Sequence, residues 1–264
     1  MLKITNLHKT FNAGTVNARH ALDGVDLSLR AGDFVTVIGG NGAGKSTLLN
    51  AIAGVWRPDE GTVEIDGVDV TSIPEYKRAA YLGRVFQDPM MGTAPDMEIA
   101  ENHAIARRRG TNRKLVWGIK KGERDEYRQL LAELDLGLED RLSSKVGLLS
   151  GGQRQAVTLL MATLTAPKIL LLDEHTAALD PKTAAKVLDI TERIVTEKKL
   201  TTIMITHNMR DAIRYGNRLI MMNAGKVVVD VSGEDKKKLT VEALLDLFTR
   251  ASGGELLSDR TVLS

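Results

Sequence analysis

The feature that most constrains the fold is a glycine-rich segment that ends in a lysine. Residues 39–47 read Gly-Gly-Asn-Gly-Ala-Gly-Lys-Ser-Thr and match the pattern G-x-x-x-x-G-K-[ST]. An apolar run at 35–38 precedes this segment, and a helical run at 46–53 follows it and is closed by Gly54. A strand, a glycine loop and a helix in this order predict a phosphate-binding loop, because backbone N–H groups and the helix N-terminus then face the negative charge.

Every position of this loop is a candidate nucleotide contact. We expect Lys45 to reach the β- and γ-phosphates of a nucleoside triphosphate, and Ser46 to bind Mg²⁺ through its hydroxyl. The candidate nucleotide-binding residues here are Gly39, Gly40, Asn41, Gly42, Ala43, Gly44, Lys45, Ser46 and Thr47.

A second motif supplies two carboxylates. Residues 169–172 form a short apolar run that is typical of a strand buried on both faces, and Asp173 and Glu174 follow it directly. Ligands of open α/β sheets bind beyond the carboxyl ends of the strands. The position therefore favours Asp173 as a Mg²⁺ ligand and Glu174 as the general base that polarises the attacking water.

The rest of the chain alternates strand and helix signals. A hairpin is predicted where residues 63–65 and 68–70 flank Asp66-Gly67, and a strand is predicted at 81–86. Asp180 followed by Pro181 predicts a helix start, and strands are predicted at 201–206, 218–222 and 226–231. This order predicts an α/β fold with a P-loop NTPase core and a mostly parallel sheet, an N-terminal antiparallel β subdomain and an inserted helical subdomain.

We expect one domain with the following organisation. The core and the antiparallel β part cover residues 1–93 and 148–232, the helical insertion covers 94–147, and a C-terminal tail covers 233–264. Within the insertion, Tyr127, Leu130, Leu131 and Leu134 recur at helical spacing, and within the tail Val241, Leu244, Leu245 and Phe248 predict one amphipathic helix.

The segment Leu149-Ser150-Gly151-Gly152-Gln153 makes a family recognisable. Taken locally, Ser150 and Gln153 form a capping box that opens a helix over 153–164. Together with the phosphate loop and the two carboxylates, the segment resembles the signature of the ATP-binding subunit of an ABC transporter. The resemblance implies that Ser150, Gly151, Gly152 and Gln153 contact the γ-phosphate held by a second copy, so that two ATP molecules lie in the interface of a homodimer.

Further positions fit the same family in order. Gln87 matches the Q-loop glutamine, implied to act in catalysis and at the Mg²⁺ ion, and Asp180 matches the D-loop aspartate. His207 matches the switch histidine that stabilises the γ-phosphate, and Phe11 matches the aromatic residue that stacks on adenine. The resemblance spans residues 2–232, and His175 departs from it because the family usually has proline there.

Composition excludes several kinds of protein. The 264 residues are 43% hydrophobic and 27% charged, which is an ordinary globular composition. The formal net charge of +2 excludes a protein that binds polyanions through its overall charge. The absence of cysteine excludes a disulfide scaffold, a thiolate metal site and a cysteine nucleophile. No apolar run is long enough to span a membrane, and the first residues lack a signal-peptide pattern, so we expect a peripheral protein on the cytoplasmic side of the membrane.

The resemblance implies ATP hydrolysis coupled to transport through a separate permease. The residues before the signature, Val146-Gly147-Leu148, lack the acid that exporters often carry there, and together with the absence of a fused membrane domain this favours import. The sequence most resembles a bacterial group that works beside a permease and a solute-binding protein, which predicts an amino-acid-like nutrient. The alternative is a soluble single-cassette ATPase of iron–sulfur cluster assembly.

A basic run leaves several interpretations open. Between residues 103 and 121 the charged side chains are all basic, which favours a solvated helix face, a contact with anionic lipid, or a contact with acidic loops of a partner. Nucleic acid is not expected, because aromatic residues are not interleaved with the charges. The residues are Arg107, Arg108, Arg109, Arg113, Lys114, Lys120 and Lys121.

Overall fold

The computed structural model describes residues 1–111 and 118–251. In chain order the strands are β1 (Leu2–Phe11), β2 (Arg19–Leu29), β3 (Phe34–Ile38), β4 (Glu60–Ile65), β5 (Val68–Asp69), β6 (Leu82–Val85), β7 (Ile169–Asp173), β8 (Thr201–Ile205), β9 (Arg218–Asn223) and β10 (Lys226–Ser232). The helices are α1 (Lys45–Ala53), α2 (Glu75–Arg78), α3 (Ile99–Arg107), α4 (Glu123–Ala132), α5 (Gly151–Thr163), α6 (Pro181–Glu197), α7 (Met209–Arg214), α8 (Gly233–Lys237) and α9 (Val241–Ala251), with a 3₁₀ turn at Val146–Leu148.

The chain divides into two compact units. The first unit joins Met1–Arg78 to the segment that begins at Lys199, and the second unit is Ala79–Lys198. The phosphate loop and His207 belong to the first unit, whereas both carboxylates and the signature belong to the second.

An antiparallel sheet in the first unit has the strand order β2-β1-β4-β5. The predicted hairpin is β4–β5, in which Glu64 pairs with Asp69 and Ile65 with Val68. Asp66 and Gly67 both have positive φ, at 55° and 79°, as the tight turn of a two-residue hairpin requires. The sequence predicted a β-rich start without assigning β1 and β2 individually.

A second set of strands in the first unit has the order β10-β9-β3-β8. Strands β3 and β8 run parallel with Val37 opposite Ile205, and every residue of both strands is buried. The Thr206 N–H donates to the Val37 carbonyl at 3.1 Å. The phosphate loop after β3 and His207 after β8 therefore leave the same edge of this sheet side by side.

Helix α1 ends against a buried arginine that sequence patterns did not predict. Arg78 is 1% exposed, and its guanidinium donates to the carbonyls of Ala51 (2.6 Å) and Ile52 (2.9 Å) near the helix C-terminus. Two more bonds go to the Ile73 and Thr71 carbonyls. Gly54, in the left-handed conformation at φ 86°, caps the helix as predicted. The helix that carries the phosphate loop is thus fixed at its far end.

The predicted C-terminal amphipathic helix is α9. Leu244 and Phe248 are buried in a cluster with Met209 and Ala212 of α7, and Leu245 packs against that cluster. Helix α9 therefore covers α7, the helix that follows His207. Among residues 1–111 and 118–251, no helix is long and apolar enough to cross a membrane.

In the second unit, β6 and β7 run parallel with Val85 opposite Leu172. Helices α3 and α4 lie in the proposed insertion, whose boundaries at 94 and 147 stay a prediction. The predicted helical spacing is met by α4, where Tyr127 and Leu131 are fully buried.

The basic run is partly internal. Arg107 pairs with Glu126, and Arg108 pairs with Glu123 at 3.2 Å. Arg109 donates to the Ala162 carbonyl at 2.8 Å. These three arginines therefore hold α3 to its neighbours within the unit, while Lys120 and Lys121 are both exposed. The predictions for Arg113, Lys114 and the nearby Trp117 lie outside the described residues.

Candidate functional site

Three glycines give the phosphate loop its shape. Gly39, Gly42 and Gly44 have φ values of 152°, 81° and 102°, a region that residues with a side chain rarely adopt. A Cβ atom on Gly39 would lie 2.2 Å from the Met222 carbonyl oxygen. A Cβ on Gly44 would lie 2.5 Å from the Ala21 carbonyl oxygen. The loop can therefore pass this close to its neighbouring strands only with glycine at these positions.

The Lys45 side chain stabilises the phosphate loop through hydrogen bonds to loop carbonyls. Its side chain is 7% exposed overall, and its ammonium donates to the carbonyls of Gly39 (2.7 Å) and Gly40 (3.1 Å). Helix α1 starts at this residue, and its N-cap, Gly44, offers no side-chain oxygen to the first N–H groups. The helix start thus presents backbone donors next to a buried cation, which is the environment that a phosphate group requires.

The remaining loop residues divide by exposure. Asn41, Gly42 and Ser46 are exposed, and Thr47 is half-buried. The Ser46 hydroxyl stands in the first turn of α1, where it is accessible to a ligand.

The turn between β9 and β10 braces this loop. The Gly225 N–H donates to the Ala43 carbonyl, and the Asp23 N–H donates to the Gly225 carbonyl, each at 3.0 Å. Arg19 donates to the Gly42 carbonyl at 3.1 Å. The sequence predicted the two flanking strands but not this contact with the phosphate loop, because residues far apart in sequence make it.

Phe11 stands at the end of β1 and forms an aromatic pair with Trp56. The two ring centroids are 5.2 Å apart at an interplanar angle of 79°. Trp56 is 40% exposed, and the Lys9 ammonium lies 5.7 Å from the Phe11 ring centroid. Lys9 is held there by the Asp59 carboxylate at 2.8 Å. Trp56 was not predicted as part of the site, although its place two residues after the predicted helix end at Gly54 is visible in the sequence.

His207 is exposed and immediately follows the buried Thr206 at the end of β8. Asn208 caps α7 by accepting from the Asp211 N–H at 3.1 Å. Burial raises the pKa of the Asp211 carboxyl, and the charges of Arg214 and His207 oppose that rise. His207 therefore lies close to the half-buried Asp211 carboxyl, and Asn208 caps the helix that carries this acid.

The two carboxylates end β7 in the second unit. Asp173 is the last strand residue, and its Oδ2 lies 3.5 Å from the Arg84 guanidinium, which also stacks over the Phe86 ring at 4.5 Å. Glu174 has φ 45°, a left-handed conformation that costs free energy for a residue with a side chain. This local strain at the predicted base turns the chain sharply at the strand end.

Gln87 lies at the same edge as Glu174. Each stands two residues beyond the paired residues Val85 and Leu172 of the parallel strands β6 and β7. The structure thus brings the predicted base and the predicted Q-loop residue to neighbouring strand ends of one unit.

The signature begins α5 with the predicted capping box. The Ser150 hydroxyl accepts from the Gln153 N–H at 3.3 Å, and the Gln153 side chain accepts from the Ser150 N–H at 3.2 Å. A Cβ on Gly152 would lie 2.1 Å from Thr183 in the first turn of α6. Asp180 caps α6 by accepting from the Thr183 N–H at 3.1 Å. Hydrogen bonds from the Thr183 side chain and then from its N–H lower the pKa of the Asp180 carboxyl. The signature and the Asp180 cap therefore pack against each other.

His175, which follows the predicted base, is buried at 2% exposure. Its Nε2 lies 3.0 Å from the Thr191 hydroxyl of α6, and that hydroxyl itself donates to the Val187 carbonyl at 2.8 Å. The imidazole is therefore the donor toward Thr191. Burial lowers the pKa of His175 to about 4, so it is neutral at physiological pH.

The three predicted Mg²⁺ ligands all carry oxygen donors. Ser46 offers a hydroxyl, Asp173 a carboxylate and Gln87 an amide oxygen. Mg²⁺ prefers oxygen ligands, and it is usually held by one or two carboxylates together with substrate phosphates.

Comparisons with known proteins agree with these motifs. A family model described as ABC transporter matches residues 22–177. The chain is 45% identical over 254 residues to the tyrosine transport ATP-binding protein of Clostridioides difficile (strain R20291), covering 95% of this chain and 100% of that protein. It is 34% identical to the xylose/arabinose import ATP-binding protein XylG of Sulfolobus acidocaldarius, covering 97% and 96%.

A solved structure resembles most of this chain. The dimeric post-hydrolysis state of the ATP-binding cassette MJ0796, bound to ADP and Pi, superposes with a TM-score of 0.74 at 31% identity. The match covers 88% of this chain and 98% of that chain. These similarities confirm the fold class predicted from the motifs.

The Phe11–Trp56 pair allows binding of the adenine base to be tested. Phe11→Ala should weaken nucleotide binding about 5- to 150-fold without abolishing hydrolysis, because a base–aromatic stack contributes roughly 1–3 kcal/mol. The chain has two tryptophans, so Trp117→Phe leaves Trp56 as the only indole reporter for a nucleotide titration. Tyr76→Ala, which removes an aromatic ring 75% exposed elsewhere in the first unit, is the control. Equal affinity of Phe11→Ala and the control would contradict the stacking role.

His175 predicts acid sensitivity of the fold. Its ordinary pKa is 6.5 and its folded pKa is about 4, so between these values the unfolded chain binds the proton and the folded chain does not. The free energy of unfolding should therefore fall as the pH drops through this window, by up to about 1.4 kcal/mol per pH unit. Denaturant unfolding at a series of pH values should give a shallower slope for His175→Gln than for the unaltered chain. His20→Gln, at an exposed histidine, should keep the original slope.

Proposed function

The chain belongs to the ABC transporter family of ATP-binding subunits, and from this membership we propose that it powers the import of an amino-acid-like solute through a separate permease. The single observation that carries the proposal is the 45% identity, over the full length of the relative, to a tyrosine transport ATP-binding protein. Tyrosine is therefore the first solute to test. The chain is an ATPase of this family, and the similar proteins are transport and import subunits.

The proposed chemistry assigns one task to each motif. Lys45 and the N–H groups of the phosphate loop hold the β- and γ-phosphates, and Phe11 carries the adenine. Glu174 accepts the proton of the attacking water as general base, and His207 stabilises the charge on the γ-phosphate. Gln87 orients the water and the metal ion from the end of the neighbouring strand. Mg²⁺, when bound by Ser46, Asp173 and the phosphates, would neutralise the charge that develops during transfer.

We propose a homodimer that encloses two ATP molecules. The start of α5 has exposed Ser150 and Gly151 and a fixed cap, so its N–H groups can face an anion. The dimeric state of a solved relative at 31% identity supports this arrangement. ATP binding would close the dimer, and hydrolysis would open it again.

The second unit offers a surface that suits a permease. Met90, Met91 and Leu148 are 47%, 52% and 71% exposed, and large exposed apolar side chains in proximity are typical of protein interfaces. Arg154 keeps them together, because it contacts the Met90 sulfur and donates to the Gly147 carbonyl at 2.9 Å. We name Met90, Met91 and Leu148 the apolar patch. It lies just beyond Gln87, so motion at the nucleotide could reach a cytoplasmic helix of the permease there.

The alternative, an ATPase of iron–sulfur cluster assembly, is not favoured. The similar proteins named above are transport and import subunits, and none of their names concerns cluster assembly. A solute-binding protein and a position on the cytoplasmic face of the membrane belong to the proposal as consequences of import.

Glu174→Gln should trap the ATP-bound dimer, because the amide cannot accept the proton and binding continues without turnover. Light scattering of the purified variant with saturating ATP and Mg²⁺ should report twice the mass of the nucleotide-free chain. Lys45→Ala in the same background should stay monomeric, since it removes the ammonium that holds the phosphates. A monomeric Glu174→Gln chain under these conditions would contradict the ATP sandwich.

The transport assignment is tested by capture from native membranes in a mild detergent. A multi-span permease should co-purify with the chain, and tyrosine should stimulate ATP hydrolysis when the solute-binding partner is added. Met91→Glu should reduce the captured permease, because it places a charge in the apolar patch. Tyr76→Glu, at an exposed aromatic in the first unit, is the matched control and should retain it. Recovery of soluble partners alone would favour the assembly-factor alternative.

A further inference from the structure

Two consecutive side chains of the signature helix reach the segment that contains Gln87. Arg154 and Gln155 lie in the second turn of α5, directly after the capping box. Both are buried, at 7% and 0% exposure. They are therefore part of the interior of the second unit, and their polar groups need partners there.

Arg154 secures the residues before the signature. Its guanidinium donates to the carbonyls of Val146 (3.1 Å) and Gly147 (2.9 Å) and contacts the Met90 sulfur. The Arg154 side chain therefore connects the start of α5 to the turn that precedes it and to the apolar patch.

Gln155 makes the link to the Q-loop. Its Nε2 donates to the Phe86 carbonyl at 3.0 Å, and Phe86 is the residue immediately before Gln87. The Oε1 atom of the same amide is buried and has no hydrogen-bond partner among the described residues. A glutamine held at this position by one bond, with its other polar atom unsatisfied, is costly for stability alone. The cost indicates a role beyond packing.

The surroundings of Phe86, whose carbonyl accepts from Gln155, include Arg84 and Asp173. The Phe86 ring is covered by the Arg84 guanidinium at 4.5 Å, and the same guanidinium lies 3.5 Å from the Asp173 carboxylate. Gln155 therefore connects the signature helix to the strand end that holds Gln87, next to the proposed Mg²⁺ ligand Asp173. A shift of Gln87 cannot leave α5 in place without breaking this bond.

We propose that Gln155 is a positioning residue that locks the signature helix to the Gln87 segment. A change at Gln87, whether caused by the nucleotide or by the permease, then moves the signature that faces the second ATP. The inference rests on the proposed function, because it assumes that the signature acts on a nucleotide of the other copy. Gln155 itself touches no nucleotide, so nucleotide affinity of the single chain is independent of it.

The test compares Gln155→Met and Gln155→Leu with Thr158→Val. The first two variants remove the donor to the Phe86 carbonyl and keep a good helix former. Because methionine is unbranched and leucine is branched, a packing defect specific to one side chain would show as a difference between the two variants. Thr158 is buried one turn later on the same helix, and its hydroxyl donates to the Arg154 carbonyl at 2.9 Å. Thr158→Val thus loses a buried hydrogen bond of the helix without touching the link.

Three measurements separate positioning from stability. In the Trp117→Phe background, ATP titration of monomeric chain should give unchanged affinity for every variant. In the Glu174→Gln background, ATP-driven dimerisation should weaken about tenfold for both Gln155 variants, the size expected for one lost buried hydrogen bond. The kcat for ATP, and the Hill coefficient, should fall in the otherwise unaltered chain. Thr158→Val should match the reference in all three.

The outcomes are distinct. Dimerisation and kcat of the Gln155 variants equal to those of Thr158→Val would overturn the positioning role. The positioning role would also be overturned if, in all three variants, dimerisation and kcat fell in proportion to the loss of thermal stability. A reference Glu174→Gln chain that does not dimerise with ATP would instead overturn the proposed sandwich, whatever the Gln155 variants do.

Discussion

The structure depends first on the close approach of the phosphate loop to its neighbouring backbone. The Met222 and Ala21 carbonyls stand where Cβ atoms of Gly39 and Gly44 would be, so the loop exists only without side chains there. This approach brings the loop carbonyls around the Lys45 ammonium at the start of α1. The turn at Gly225 and the anchored end of α1 then fix both sides of the loop. Anion binding follows from backbone geometry, and the lysine adds charge to a site already shaped.

Both units place chemistry at the carboxyl ends of parallel strands. In the first unit, β3 and β8 end beside each other, which puts the phosphate loop next to the His207 segment. In the second unit, β6 and β7 end beside each other, which puts Gln87 next to Glu174. The sheet edge thus fixes relative positions that no local motif specifies. The left-handed backbone of Glu174 shows that the strand end also imposes strain at the proposed base.

The sequence predicted what local rules govern. The glycine loop, the capping box of Ser150 and Gln153, the Asp180 cap, the β4–β5 turn and the amphipathic α9 all follow from short patterns, and the structure contains each of them. Trp56, Arg78 and Gln155 were not predicted, because their roles arise from contacts between residues distant in the sequence. The basic run is a related case. Its arginines looked like a surface feature by composition, yet Arg107 and Arg108 pair with acids about one helix later. Composition gives charge, but pairing depends on how two helices pack.

The division of the chain into two units also divides the proposed work. The first unit contains the phosphate loop, the aromatic pair and His207, to which the proposal assigns binding of the chain's own nucleotide. The second unit contains the predicted base, the signature and the apolar patch, to which the proposal assigns hydrolysis, the second ATP and the permease. Within that unit, Arg154 and Gln155 connect the patch, the Q-loop and the signature through buried polar contacts. Because buried hydrogen bonds tolerate little displacement, these elements move together. In the proposed function, a permease that contacts the patch would therefore act on the signature through Arg154 and Gln155.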